Sequence, residues 1–490
     1  MLILALFLII LFMLLVYGDT RKPRNFPPGP KWFPIIGCAW QLRKLHKEKG
    51  SLAKATQELA TKYGSVVGAR IGRERTVFVC GLDVLKEMFR KDELNGRPHD
   101  IMSTSRTLGK RRGMGYTDAK FHLEQKKFVM GQLKRTSFRK KVMAHVLEQR
   151  VSVIIDELEK KVQSDSVICM TSFFPIHILN TLYFLLTGDK CSSQEMEELF
   201  DIMEDFAKNI PLTGTMFGHF PFLRHICPDY CGYNIYVNIH QRILEFVSKR
   251  VQVLKKACDS ATPDCGFVHP YLMMVNSFEG NGTFSEDQMV ATCLDLLIGG
   301  FDTSCNAVGF VFLYLILYPD VQRKAQEEID RVVGRQSPLT LNDRARLQYV
   351  ECVILESIRL FVGRAFLIPR RALTDATLNG YFIPKDTVIH GNCRLTLLDE
   401  CAGWKDPKTF YPERFIKNGR ISIPDNFTPF GWGRRRCAGE ILARANVFLI
   451  VASLLQTFNF KPVPGCPPVV DVVEGFTPSV KPFKASITLR

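Results

Sequence analysis

The stretch Phe430-Gly-Trp-Gly433-Arg-Arg435-Arg-Cys437-Ala-Gly439 sets a single cysteine in a glycine-rich bend, and an apolar helical pattern follows at about Gly439–Thr457. A helix starting there presents unpaired N–H groups and its positive dipole end to the sulfur, and both favour a thiolate. Arg434, Arg435 and Arg436 add positive field. Gly433 and Gly439 let the backbone approach a neighbour closely. A thiolate of low pKa so placed suits a metal ligand or a nucleophile. The plainer alternative is an Arg-rich loop with an incidental cysteine.

Upstream, Gly299-Gly300-Phe301-Asp302-Thr303 places an acid beside a hydroxyl inside an apolar run. Ser285-Glu-Asp-Gln288 has the form of a capping box. It predicts a helix running to Tyr318, where Pro319 ends it. Gly299 and Gly300 loosen that helix and clear space beside the polar pair. Two readings stay open: Asp302 and Thr303 bond back to their own helix within a core, or they serve a reaction beside it. Leu296–Tyr318 carries one charge, Asp302, and is apolar enough to cross a membrane. A central Asp costs about 2.5–3.5 kcal/mol on insertion, and a helix apolar all round equally suits a large core. The core placement is expected.

Around these motifs the pattern is mainly α with a minor β region. Gly64–Ile71 and Thr76–Cys80 read as a hairpin, and Leu378-Asn379-Gly380-Tyr381 as a tight hairpin turn. Long helical patterns fill Leu82 to Leu360, Pro407–Arg436 is irregular, and the tail Val463–Arg490 reads as short strands. No repeat or low-complexity linker divides residues 32–490, which form one large domain. With 46% apolar and 23% charged residues in 490, the chain can bury a substantial core.

Lys plus Arg number 65 against 49 acids, a net +16, which favours an acidic partner, an anionic membrane surface or nucleic acid. No aromatic–basic nucleic-acid motif accompanies that charge, so no nucleic-acid partner is expected. Fifteen cysteines without a C-x-x-C pair do not make a disulfide scaffold. Cys227 and Cys231 near His225 lack the second half of a zinc site. The cysteines read as thiols of a reducing compartment.

Leu2 to Tyr17 is unbroken apolar sequence, closed by Gly18, Asp19, Thr20, Arg21 and Lys22. At about 1.5 Å per residue it spans roughly 25 Å, near a hydrocarbon core. Basic residues lie only downstream, and no small-residue cleavage site follows. Residues 1–18 are therefore expected to be a single-pass membrane anchor with the body in the cytosol. A cleaved signal peptide and an amphipathic surface helix are the alternatives. Residues 19–31, with Phe26-Pro27-Pro28-Gly29-Pro30, form a basic, stiffened hinge. The sequons Asn281-Gly-Thr283 and Asn426-Phe-Thr428 would then stay unmodified.

The pattern Phe-x-x-Gly-x-Arg-x-Cys-x-Gly is complete at 430–439 and resembles the haem-binding signature of the cytochrome P-450 family. That resemblance implies that Cys437 is the proximal thiolate ligand of haem iron. Phe430, Gly433, Arg435 and Gly439 would complete the cofactor loop, with Phe430 beside the sulfur and Arg435 on a haem propionate. The stretch from Gly299 is similar to the family's oxygen-binding groove. There Gly299 and Gly300 would border the cofactor, Thr303 would bond to dioxygen, and Asp302 would feed protons. Glu356-Ser-Ile-Arg359 and Pro412-Glu413-Arg414-Phe415 match two further family elements, which implies a buried structural triad of Glu356, Arg359 and Arg414. Arg97 in Asn95-Gly96-Arg97 and Arg370 in Ile368-Pro369-Arg370 would reach the propionates. Where relatives carry Trp-x-x-x-Arg, this chain has His122-x-x-x-Lys126. Lys126 would reach a propionate only as a point charge.

The motifs stand in family order over nearly the whole chain and, with the anchor, resemble the microsomal class. That implies a haem-thiolate monooxygenase of the endoplasmic reticulum membrane. Its electrons would come from NADPH through a separate reductase, with cytochrome b5 as a further donor. Membrane lipid and a small lipophilic substrate are the other partners. Val362–Ile368 with Arg370-Arg371-Ala-Leu-Thr-Asp375 is similar to insect members related to juvenile-hormone epoxidases and ecdysteroid hydroxylases, which implies a sesquiterpenoid or steroid substrate. Pro211–Pro228, with Phe217, Phe220, Phe222 and Leu223, either lines an access route or is an interfacial turn. Two other functions remain. A haem-thiolate isomerase or dehydratase would need Cys437 but not the Asp302–Thr303 pair. A non-catalytic haem-binding membrane protein would tolerate the departures at His122 and Lys126.

Overall fold

The helix predicted from Ser285 forms the axis of the molecule. In the computed structural model, which describes residues 2–138, 140–211, 214–257, 266–277 and 282–490, the Ser285 hydroxyl accepts from the Gln288 amide at 3.2 Å. The helix runs Glu286–Leu317, 32 residues, as the cap and Pro319 require. Pro319 also opens the next helix, Pro319–Val332, in its first turn, where the missing N–H costs nothing. Against this axis pack the helices Met170–Thr187, Tyr233–Ala257, Gln348–Val362 and Glu440–Thr457. Gly300 is needed for the first of these contacts, because a Cβ there would lie 2.7 Å from Leu182. Three described helices are long and apolar enough to cross a membrane: Met170–Thr187, Glu286–Leu317 and Glu440–Thr457. Each is largely enclosed by the rest of the protein, so Leu296–Tyr318 belongs to the core as expected.

The N-terminal apolar run is helical from Leu2 to Thr20, continuing past the predicted end of the anchor, and exposes Ile3, Phe7, Phe12 and Leu15. It is tied to the body near its end. Arg70 donates to both oxygens of Asp19 at 2.6 and 2.9 Å and to Phe33 O at 2.7 Å, and the Ile35 amide donates to Asp19. Asn281 of the first sequon lies outside the described residues, as do Leu212 and Thr213 of the proposed access segment. In the second sequon Asn426 donates its amide to Ala402 O.

The minor β region carries functional weight. Val66–Ile71 and Glu74–Val79 form the predicted antiparallel hairpin. Val388–Gly391 adds to it in parallel, and Arg370–Arg371 adds to that strand antiparallel, giving four strands. A bridge between Gly96 and Arg371 then brings Asn95 and Arg97 beside Arg370, although some 270 positions separate them. Side-chain room is lacking there, since a Cβ on Gly96 would lie 2.7 Å from Arg371 O. Asn379 and Gly380 turn with φ of 49° and 78°, as a two-residue hairpin of this type demands. Toward the C-terminus Lys484–Leu489 pairs antiparallel with Phe458–Pro462 on one side and Val167–Cys169 on the other, and Val472–Val473 forms a small hairpin with Ser479–Val480.

Pro407–Arg436 is irregular and hangs on one carboxylate. Arg359 grips Glu356 through two bonds of 2.8 Å, and Arg414 donates to the same acid at 2.9 Å. Arg414 also donates to Lys405 O, Asp406 O and Thr409 O, closing the chain around itself. Among the described residues every cysteine is a free thiol, and no cluster of His, Cys, Asp or Glu could hold a metal ion, Cys227 and Cys231 included.

Candidate active site

Cys437 sits where a tight loop turns into the helix Glu440–Thr457. Gly431 and Gly433 adopt φ of 66° and 71°, and a short turn at Gly433–Arg435 brings the Cys437 amide to Phe430 O at 2.9 Å. Gly433 is forced by contact as well: a Cβ would meet Phe89 O at 2.6 Å. Cys437 is solvent-accessible although protein atoms crowd around its sulfur, and a methyl on Gly439 would meet no atom within 4 Å. The amides of Gly439 and Glu440 and the charge of Lys126 favour the thiolate, but burial outweighs them and pushes the Cys437 thiol up. The low-pKa thiolate expected from the loop alone is therefore not met by protein groups. A bound cation would stabilise such a thiolate where these groups do not. Lys126 donates to Arg434 O at 2.6 Å and Arg436 O at 2.9 Å, so it braces the loop's backbone.

Beside the loop, four segments distant in sequence crowd cations together. Arg435 donates to Asn95 O, Thr117 O and Asp118 at 2.7–3.0 Å. Arg97 donates to Gly115 O, Ile368 O and Pro369 O, and Arg370 to the Asn95 side chain at 2.7 Å. Asp118 is the acid at the centre, shared by Arg111, Arg371 and Arg435. It was not picked out by sequence reasoning, because nothing local marks it. Asp386 takes up the outer side of Arg371, and these two carboxylates do not balance the charge. Burial, then repulsion from Arg97, pulls both Arg370 and Arg435 down to about 9, and burial takes Lys126 to about 8.

His122 supplies an unpartnered atom in the same place. It is 6% exposed, and its Nε2 is buried without a hydrogen-bond partner. Its Nδ1 lies 2.8 Å from an Arg435 N–H and 3.0 Å from Met114 O. A guanidinium only donates and a carbonyl only accepts, so Nδ1 bonds Arg435 in one ring tautomer and Met114 in the other. Burial, reinforced by Arg435, holds the imidazole down to about 4 and hence neutral. A soft sulfur donor beside buried cations and an unpartnered imidazole nitrogen fits haem, a metal group carrying two carboxylates.

On the axial helix, Gly299 and Thr303 lie one turn apart and are accessible in an otherwise buried element. A methyl on Gly299 would meet nothing within 4 Å, so this face has the room the sequence suggested. Thr303 donates its hydroxyl to Gly299 O at 2.7 Å. Asp302 is buried and points elsewhere. Its Oδ2 accepts from the Thr477 amide at 3.0 Å and the Thr477 hydroxyl at 2.5 Å, and its Oδ1 from Asn306 at 3.1 Å. The acid and the alcohol are not bonded to each other. Burial pushes Asp302 up to about 6 despite these donors. Thr477 and Asn306 were also missed from the sequence; Asn306, one turn beyond Asp302, was the one legible signal.

The loop and surrounding charge define a site for a thiolate-ligated prosthetic group in a mainly helical protein. Comparison with known proteins agrees. The Cytochrome P-450 family model matches residues 27–485. A probable cytochrome P-450 303a1 of Drosophila melanogaster is 34% identical, with 97% of each chain covered. A farnesoate epoxidase of Bombyx mori is 32% identical over 97% of each chain, and cytochrome P-450 2J3 of Rattus norvegicus is 28% identical over 90% of this chain and 87% of its own. The chain belongs to the cytochrome P-450 family, and that membership implies thiolate-ligated haem and monooxygenase chemistry.

Proposed function

We propose that this chain is a membrane-anchored haem-thiolate monooxygenase that inserts one oxygen atom into a lipophilic terpenoid or steroid. Its electrons come from NADPH through a separate reductase, with cytochrome b5 as a further donor. The observation that carries the reading is the accessible Cys437 beside the buried cations Arg97, Arg370 and Arg435. Haem bound there supplies dioxygen activation, which a thiolate ligand biases toward O–O cleavage. Cys437 holds the iron. The loop glycines and Lys126 keep the sulfur in place. Arg97, Arg370, Arg435 and His122 Nε2 hold the carboxylates, with Asp118 orienting Arg435. Thr303 presents its hydroxyl on the open face of the axial helix. Asp302, held at about 6, can hold or release a proton near neutral pH. An intact acid and alcohol favour this reading over an isomerase or a binding protein. The helix Leu2–Thr20 serves as the anchor, residues 19–31 lead to the catalytic domain at 32–490, and the body sits at the cytosolic face of the endoplasmic reticulum.

The Bombyx mori relative is named for epoxidation of farnesoate, which supports a sesquiterpenoid substrate here. Titrating the haem-loaded protein with sesquiterpenoid acids and esters, ecdysteroids and fatty acids, and reading the haem spin state, tests this. A spin shift with fatty acids alone would reject the terpenoid and steroid assignment. Thr303→Ala is expected to keep haem and NADPH consumption while diverting most electrons to peroxide. Unchanged coupling would remove Thr303 from the proton path.

The His122 role has its own test. A glutamine amide can stand in for Nε2, whereas an asparagine amide reproduces only Nδ1. His122→Gln should release haem to apomyoglobin at the native rate, and His122→Asn about tenfold faster, the tenfold corresponding to one hydrogen bond of about 1.4 kcal/mol. Equal rates for the two variants would leave His122 a packing residue.

A further inference from the structure

The sequence places Asp302 and Thr303 side by side, yet the tertiary structure pairs the acid with the far end of the chain. Thr477 stands at the tip of the C-terminal hairpin, between Val472–Val473 and Ser479–Val480. Its amide and hydroxyl both donate to Asp302 Oδ2, and Asn306 bridges the two residues, bonding Asp302 at 3.1 Å and the Thr477 hydroxyl at 2.9 Å. The tip is held from outside on two sides. Glu474 receives the Leu52 amide at 3.0 Å and meets His46 at 2.6 Å. Phe476 packs on Phe206 with ring centroids 5.0 Å apart, and its amide donates to Ala207 O. A Cβ on Gly475 would lie 2.7 Å from that same carbonyl, so glycine is what lets the tip approach the helix Ser193–Asn209 this closely.

We propose that Thr477 is a positioning residue for the proton-carrying acid: its hydroxyl holds the Asp302 carboxylate turned toward the C-terminal hairpin, and release of that bond is what lets Asp302 serve the Thr303 side of the helix. Two consecutive helical residues point about 100° apart. An Asp302 with both oxygens engaged on one side must therefore give up a bond before it can hand a proton to the other. Of its three donors, the Thr477 hydroxyl and the Asn306 side-chain amide can rotate away without moving backbone, and the hydroxyl makes the shorter bond, 2.5 Å against 3.1 Å. The inference rests on the monooxygenase reading for its consequence, but the bond itself can be tested without electron transfer.

The experiment uses the full haem-loaded chain with Thr477→Val, which keeps the amide and the side-chain shape, and Thr477→Ser, which keeps the hydroxyl. In the first arm, infrared difference spectra follow the Asp302 carboxyl, assigned by its loss in Asp302→Asn. Without the hydroxyl donor the carboxylate is less favoured, so Thr477→Val should raise the proton affinity of Asp302 about tenfold, with Thr477→Ser native. An unchanged titration in Thr477→Val overturns the proposal.

In the second arm, NADPH and dioxygen consumption are compared with an NADPH-cytochrome reductase and no substrate. Dioxygen leaves either as peroxide (NADPH + H⁺ + O₂ → NADP⁺ + H₂O₂) or as water (2 NADPH + 2 H⁺ + O₂ → 2 NADP⁺ + 2 H₂O). The ratio of NADPH to dioxygen therefore reports proton delivery whatever step limits the rate. Freed Asp302 should at least double the share of dioxygen leaving as water. That change should vanish in the Asp302→Asn background and be absent in Thr477→Ser. An unchanged ratio, or a change that persists without Asp302, overturns the positioning role. If the native protein takes no electrons from the reductase, the monooxygenase reading fails and the first arm still decides whether Thr477 holds the acid.

Discussion

Cys437→His should leave a folded protein that no longer gives the red-shifted Soret band of thiolate-bound iron when reduced under carbon monoxide. The band should move to the position of a histidine-bound haem. The cations at Arg97, Arg370 and Arg435 remain in this variant, so haem is retained in part while the electronic push of sulfur is gone. Changes one shell out from a metal commonly cost about 10–100-fold. Loss of the ligand itself should exceed that and abolish NADPH-dependent product. A native carbon-monoxide spectrum in Cys437→His would show that another residue binds the iron. Cys437→Ala separates the two contributions: it should weaken haem retention further, because no side chain reaches the metal while the carboxylate contacts persist.

The second large effect is on stability. Glu356 and Arg359 are fully buried, and Arg414 nearly so. Glu356→Gln leaves two guanidiniums enclosed without a counter-charge. Breaking a buried ion pair by removing one partner costs about 3–5 kcal/mol. The Tyr411 amide also donates to Glu356, at 3.1 Å, so the loop leading to Cys437 should loosen with it. The measurement is the denaturant midpoint together with the haem content of purified protein, and both should fall sharply. Glu327→Gln, which breaks the exposed Arg323–Glu327 pair, should leave both unchanged. Equal behaviour of the two variants would mean that the triad is not what secures the loop.

Helix Glu286–Leu317 was legible from its ends, because a serine cap and a following proline act on neighbouring backbone. The Asn379–Gly380 turn and the Cys437 loop were legible for the same reason: positive φ is a local demand met by local residues. The geometry departs from expectation where burial competes with chemistry. A helix N-terminus alone suggests a low-pKa thiolate, but desolvation raises the Cys437 thiol. Adjacent Asp302 and Thr303 suggest a bonded pair, but the helix turns them apart and Thr477 claims the acid.

Sequence by itself therefore determined the cysteine loop, the axial helix, the triad and the family, since each is written in residues a few positions apart. Tertiary structure alone decided how charge is arranged around them. Asn95, Thr117–His122, Ile368–Arg371 and Arg435 meet only because a sheet bridge and a loop fold them together, and Asp118 gains its role only from that meeting. Coulomb and desolvation energies depend on distance and surroundings in space, which spacing along the chain does not encode.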